Sequence, residues 1–456
     1  MSGEAAAASG AEAAAHPIRS DLNRLAKLAG PVVVARLGVM TMGLSDTIVV
    51  GRYSAEQLGY MALGWAAASA FLGSAMGLLS GVQVMTSRAI GEGNPAGAGA
   101  ALRRGLGYGL WVGLATAILL SLGGPWLLGE LGLKGNLATG AAGPLIVLAL
   151  SMPSFAISSA ASSWLEGLGR MTPPMLLMWV ANILNLGVDL VLVPGRFGLH
   201  PMGAMGATLA TFSARTFLAI ATLAYIALMP DARRLGVFAK PPRDRALEQE
   251  QRRVGYGAAA SNFFEMGAFS AMNVIAGWIS PLTVAAWAVA LNVLALVFMV
   301  PAGLATATAV LVARAYGAVD ARGLRRAAAV GFAVTAIFGI VIGVVIWPGA
   351  LAIVSLYTAD AQTIALAAGA LALCCIFFAP DGLQVVVAQA LRARGDVVAP
   401  TLTHLTSYIV VMLPLAYVLA IPLKWGLTGI AASVILSGYL SAGLLLGRFW
   451  VLARRD

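Results

Sequence analysis

The chain has 456 residues, of which 60% are hydrophobic and 11% charged, with a mean hydropathy of +0.87. A soluble domain carries about 25% charged residues, so the composition excludes a soluble protein and points to one embedded in the lipid bilayer. The net charge of +10 comes from basic residues in short loops between apolar runs, the pattern of topology determinants, which argues against a nucleic-acid partner.

The opening twenty residues (MSGEAAAASGAEAAAHPIRS) lack the apolar core of a signal peptide and read as a disordered cytoplasmic tail, 1–27, ending in a short basic segment near Lys27. Runs able to cross about 30 Å of hydrocarbon follow at 28–51, 58–89, 104–128, 137–165, 172–194 and 203–228. A polar cytoplasmic linker at 229–253 separates them from runs at 254–279, 282–313, 326–348, 362–391, 398–422 and 427–449. The expected fold is all-α, with about twelve transmembrane helices in an N-terminal lobe (28–228) and a C-terminal lobe (254–449), then a tail at 450–456. The alternating ten-residue segments of a membrane barrel are absent.

Cations orient the bundle. Arg88, Arg103, Arg104 and Arg170 follow the second and fourth spans, and the linker holds Arg233, Arg234, Lys240, Arg243, Arg245, Arg252 and Arg253. Arg314, Arg322, Arg325, Arg326, Arg392, Arg394, Arg454 and Arg455 continue the series, whereas the opposite loops carry only Arg52, Lys134, Arg196 and Lys424. By the positive-inside rule both termini and the linker are cytoplasmic.

The halves repeat. Arg88-Ala89-Ile90-Gly91 recurs as Arg314-Ala315-Tyr316-Gly317, and Leu165, Gly169, Pro174 and Leu176 recur as Leu391, Gly395, Pro400 and Leu402, at an offset of about 226 residues. Gly203-x-x-Gly206 returns as Gly426-x-x-Gly429. Six spans per half make a parallel repeat, an architecture in which transporters rock one half against the other.

Four carboxylates lie inside apolar runs: Asp46, Asp189, Glu265 and Asp381. Such residues are costly at membrane depth and mark ion or substrate sites. Asp46 and Asp189 each lie about 7 Å below the external surface, with Asn185 one turn from Asp189. Glu265 and Asp381 each lie about 16 Å from the cytoplasmic end, Asn262 sharing a face with the first and Gln384 with the second. Either pair could hold one proton, or coordinate Na⁺ with amide oxygens; the residues leave the ion open. The competing reading makes each acid a structural hydrogen-bonding group, most evenly matched for Asp189, near Pro194-Gly195 at a helix end.

The remaining features have plainer readings. Arg36 and Arg215 should snorkel toward the cytoplasmic surface or buttress packing. Pro31, Pro153, Pro301 and Pro380 interrupt spans as packing kinks or hinges. Phe263, Phe264, Phe377 and Phe378 flank the C-lobe acids and form either an aromatic cavity wall or ordinary lipid-facing or core surface. Cys374 and Cys375 are read as buried packing thiols, with no disulfide or metal role.

Several stretches resemble the multidrug and toxic compound extrusion (MATE) family. They are Ser45 through Arg52, Gly81-Val82-Gln83-Val84, Arg88 through Gly93, Asn185 through Asp189 and Gly203 through Ala207. In the second half Phe263-Phe264-Glu265, Asp381-Gly382-Leu383-Gln384 and Ala390 through Asp396 match as well. The resemblance implies a two-lobed inner-membrane antiporter, expected as a monomer, exporting organic cations or other toxic compounds in exchange for Na⁺ or H⁺, with no cofactor. Glu265 and Asp381 look like the acids of the NorM-type branch, and Asp46 with Asn185 and Asp189 looks like the N-lobe site of the DinF-type branch. Arg36, and Leu391-Arg392-Ala393-Arg394-Gly395, depart from the family pattern.

A lipid-linked oligosaccharide flippase of the same superfamily is the main alternative, but only Arg36 and Arg215 could supply cavity cations. The loop signature of major-facilitator transporters is missing. An intramembrane enzyme is not expected: there is no HExxH motif, and His16, His200 and His404 are dispersed. A passive channel is compatible with the composition.

Overall fold

The apolar runs fold as helices throughout. In the computed structural model, which describes residues 2–130, 136–239 and 244–454, the chain order is α1 (Ser2–Tyr53), α2 (Ala55–Gly91), α3 (Pro95–Glu130), α4 (Leu137–Leu150), α5 (Met152–Gly167), α6 (Thr172–Leu192), α7 (Gly203–Leu228) and α8 (Arg245–Ile279). The second half continues with α9 (Pro281–Gly317), α10 (Ala321–Ser355), α11 (Ala361–Cys374), α12 (Phe378–Ala393), α13 (Val398–His404), a π-helical segment (Leu405–Met412), α14 (Leu413–Ala420) and α15 (Gly426–Ala453). The all-α membrane architecture is borne out. Among the described residues ten helices are long and apolar enough to span, and α11 with α12 makes an eleventh. The twelfth segment, α8, misses that test because Ser261, Asn262, Glu265 and Asn273 dilute its apolar run. Segment 1–27, expected as a disordered tail, is helical from Ser2 and continuous with α1; its alanines are the strongest helix formers. Lys134, Lys240, Arg243 and Arg455 lie outside the described residues.

The repeat is a repeat of structure. Helices α2 and α9 are both 37 residues long, α4 and α11 both 14, and α5 and α12 both 16. Equivalent residues cap equivalent helices. Ser54 accepts from the Gln57 amide at the start of α2, and Ser280 accepts from the Thr283 amide at the start of α9. Asn94 and Asp320 do the same before α3 and α10, each satisfying an orphan helix-terminal donor. Even the left-handed linkers recur: Gly93 (φ 69°) corresponds in the repeat to Val319 (φ 57°), and Gly169 to Gly395.

Two compact units form, residues 34–263 and residues 1–33 with 264–456. In the first, α3 packs on α5, α2 and α4, while α6 pairs with α7. Small residues permit close crossings: a Cβ at Gly113 would lie 2.5 Å from Pro153 Cα, and the equivalent Gly339 in the second unit lies as close to Ala379. Trp164 is fully buried and donates from Nε1 to the Ala98 carbonyl at 2.8 Å. The linker docks on the first unit's charged end. Arg170 clamps Asp231 through both guanidinium nitrogens, Arg103 donates to the Val237 carbonyl, Arg88 pairs with Glu250 at 2.5 Å, and Met229, Ala232 and Leu235 join an apolar cluster with Val82, Leu102 and Trp164. In the second unit α12 packs on α9, α10 and α15. Its larger cluster is centred on Trp287, Phe377, Tyr408 and Met412. Cys374 and Cys375 are free and buried there.

Candidate ion-coupling sites

The first unit brings Asp46, Asn185 and Asp189 together. Helix α6 buries Asn182, Asn185 and Asp189, at i, i+3 and i+7 on one face, while Ile183, Leu184, Leu186 and Leu190 on its other faces are exposed. Asp46 arrives from α1 and interacts with both Asp189 and Asn185. A residue the sequence reading missed completes the group: Thr211 of α7 donates from Oγ1 to Asp46 Oδ2 at 2.9 Å. No sequence signal separates Thr211 from the other threonines of that apolar helix. All four side chains are essentially excluded from solvent. Yet Asp46 Oδ1, both Asp189 oxygens and both Asn185 side-chain atoms make no hydrogen bond, and no Lys or Arg reaches either acid as an ion pair among the described residues. Buried polar atoms are ordinarily paired, and an unpaired buried charge costs several kcal/mol or more. Five unpartnered oxygen and nitrogen atoms converging on two carboxyls therefore fit a proton or a small hard cation with oxygen ligands.

Arg215 does not snorkel. It is buried on α7, one turn beyond Thr211, donates from Nη1 to Ser151 Oγ at 2.7 Å, and lies over the rings of Trp65 (5.4 Å) and Phe155 (5.1 Å). Ser151 marks the break between α4 and α5, immediately before Met152-Pro153. Arg36 is half-buried and interacts electrostatically with Glu166 of α5, too far along α1 from Asp46 to serve it directly.

The second unit gathers Glu265, Asp381 and Gln384. Gln384 donates from Nε2 to Glu265 Oε1 at 3.2 Å, and Asp381 interacts with both residues. The span that carries Asp381 is broken. Helices α11 and α12 meet at 52°, and Asp381 occupies the first turn of α12, its amide bonded to the Phe377 carbonyl at 2.9 Å. An acid there feels the positive end of a half-helix inside the membrane, an arrangement transporters use for ion and substrate sites. Pro380 closes off continuation of the preceding helix. Tyr408 comes from the π-helical segment and faces Glu265. Next to it His404 stacks edge-on, with ring centroids 5.6 Å apart. Both are buried, and neither the Tyr408 hydroxyl nor either His404 nitrogen is hydrogen-bonded. Short π-helical stretches often mark functional sites, but no composition cue announces this one. Asn262, expected beside Glu265, instead donates to the Gly73 carbonyl of α2 at 3.2 Å. Of the four phenylalanines, Phe377 and Phe378 are core residues, Phe377 packing against Gly438, while Phe263 is exposed and Phe264 half-buried. Among the described residues no cluster of three His, Cys, Asp or Glu side chains forms.

A duplicated helical module that carries acids within the apolar helices of each half defines a multi-pass membrane transporter. The MatE family model matches residues 31–191 and again 258–418, and the chain belongs to this multidrug and toxic compound extrusion family. It is 55% identical to a "Probable multidrug resistance protein NorM" of Caulobacter vibrioides, over 96% of this chain and 93% of that one. It is 30% identical to the multidrug resistance protein PmpM of Pseudomonas aeruginosa, over 89% and 85%. These relatives are named as multidrug resistance proteins, not as enzymes. The fold matches a crystal structure of MATE in the straight conformation, with a TM-score of 0.87 at 20% identity, covering 96% of this chain and 97% of that one. It matches the eukaryotic MATE transporter AtDTX14 with a TM-score of 0.86 at 18% identity, covering 96% and 98%.

Proposed function

We propose that this chain is a secondary active antiporter that exports cationic or amphipathic drugs and toxic compounds in exchange for Na⁺ or H⁺, by alternating access. The coupling ion binds at Asp46, Asn185 and Asp189, at Glu265, Asp381 and Gln384, or at both. The observation that carries this reading is the buried pair Asp46 and Asp189, whose carboxyl oxygens are left largely without hydrogen bonds and meet no Lys or Arg as an ion pair among the described residues, supported by relatives named as multidrug resistance proteins. Two carboxyls in a dry site cannot both stay charged at low cost. A proton or Na⁺ relieves that charge on one side of the membrane, and an organic cation competes for it on the other. The exchange follows from charge balance, since the site tolerates either cation but not its own uncompensated charge. The protein works as a monomer in the bacterial inner membrane, with both termini and the linker cytoplasmic, because arginines crowd that end.

A lipid-linked oligosaccharide flippase would need cations free to meet anionic head groups. Arg215 is held by Ser151 and two rings, which disfavours that reading. The test is efflux of cationic dyes from proteoliposomes under imposed Na⁺ or pH gradients. Uphill efflux driven by one gradient supports the antiporter, whereas equilibration indifferent to both gradients indicates a channel and overturns it.

A further inference from the structure

The first unit's site holds a positive charge of its own. Arg215 is buried at 6% exposure and forms no ion pair among the described residues. The guanidinium is fixed from three directions: Ser151 Oγ at the α4/α5 break, Trp65 of α2 and Phe155 of α5. One turn earlier on the same helix, Thr211 grips Asp46, so α7 delivers a hydrogen bond and a charge to the same neighbourhood, and Arg215 and Asp46 interact electrostatically. The ionisable groups around this point are Asp46 of α1, Asp189 of α6 and Arg215 of α7; Arg36 of α1 is engaged with Glu166 of α5. Asn182, Asn185, Thr208, Thr211 and Ser151 contribute dipoles only.

We infer that Arg215 is a positioning residue that sets the charge demand of the Asp46–Asp189 site at one monovalent cation. Two carboxylates and one guanidinium leave a single negative charge, which one Na⁺ or one proton neutralises. The aromatic rings hold the guanidinium near the acids without letting it collapse into a salt bridge that would displace the ion. A fully paired Arg would silence the site, and an absent one would leave two charges for the ion to balance. This inference rests on the antiporter reading, and the wild-type gradient experiment decides that reading separately.

The test uses the full-length protein in proteoliposomes, with ethidium as the transported dye and Na⁺ or pH titrated as the coupling variable, in Arg215→Lys, Arg215→Met and Arg215→Met/Asp189→Asn. Lys keeps the charge and should keep the wild-type midpoint. Met leaves a doubly negative site, so the cation is held at least tenfold more tightly: the Na⁺ midpoint falls tenfold, or the proton midpoint moves at least one pH unit alkaline, with a steeper slope. The double variant removes the excess negative charge and should move the midpoint back from that of Arg215→Met toward wild type by at least threefold; a double-variant midpoint equal to that of Arg215→Met overturns the inference. If Arg215→Met does not yield folded protein, rescue of folding by Asp189→Asn supports the charge argument and failure of rescue overturns it. A Met midpoint equal to wild type, or a Lys midpoint displaced as far as that of Met, also overturns it.

Discussion

Replacing Thr211 with Val isolates one interaction at the site. The side chains are nearly isosteric and the position is 1% exposed, so packing on α7 is preserved while the hydroxyl that donates to Asp46 Oδ2 at 2.9 Å disappears. A hydrogen bond to a charged group contributes about 1.5–3 kcal/mol, and each 1.4 kcal/mol is a factor of about ten. The half-saturating concentration of the coupling cation should therefore change by about tenfold to a hundredfold. Its sign identifies the ion. For Na⁺ the midpoint rises, because the hydroxyl helps keep the carboxylate charged as a ligand. For H⁺ the required concentration falls, because the hydroxyl favours the form that competes with protonation. The assay is the initial rate of dye efflux from proteoliposomes against cation concentration, with melting temperature as the control for folding. A midpoint within threefold of wild type, in a variant that melts normally, refutes the reasoning.

Other consequences are simpler to read. Gly255→Ala drives a methyl into the Leu78 carbonyl oxygen, where backbone cannot yield, so it should destabilise by about 1–3 kcal/mol and lower the melting temperature in detergent. Val319 is 91% exposed with φ 57°, where the repeat carries Gly93; Val319→Gly relieves left-handed strain of about 1–2 kcal/mol, less the added chain entropy of glycine, and should raise the melting temperature slightly. Asp360 caps α11, and its bonds from the Thr363 hydroxyl and amide hold its carboxyl below the usual range. Its contribution is therefore present at neutral pH and lost as the pH falls through that lowered value, so the melting difference between wild type and Asp360→Ala should shrink below about pH 4.

Much of this architecture was legible in the residues. Long apolar runs admit little besides helices in lipid, and the run at 203–228 coincides with α7. The offset that relates Arg88-Ala89-Ile90-Gly91 to Arg314-Ala315-Tyr316-Gly317 persists in the caps at Ser54 and Ser280 and the turns at Gly169 and Gly395. The acids stood out because charge in an apolar run is conspicuous. Their uncharged partners did not: Thr211 and Tyr408 are ordinary residues made special by helix crossings and by π-helical winding. Asn262 shares a helix face with Glu265, but the partner of its amide, the Gly73 carbonyl, carries no signal in the sequence. The break at Cys375–Phe377 was equally hidden, since Pro380 alone does not say whether a span kinks or divides.

Asp46→Asn and Glu265→Gln, each reconstituted at wild-type levels and assayed for gradient-driven dye efflux, test the proposed coupling most directly. Loss of uphill efflux in at least one of them, with the protein inserted and melting as wild type, is the predicted result. Full gradient-driven efflux in both would contradict it.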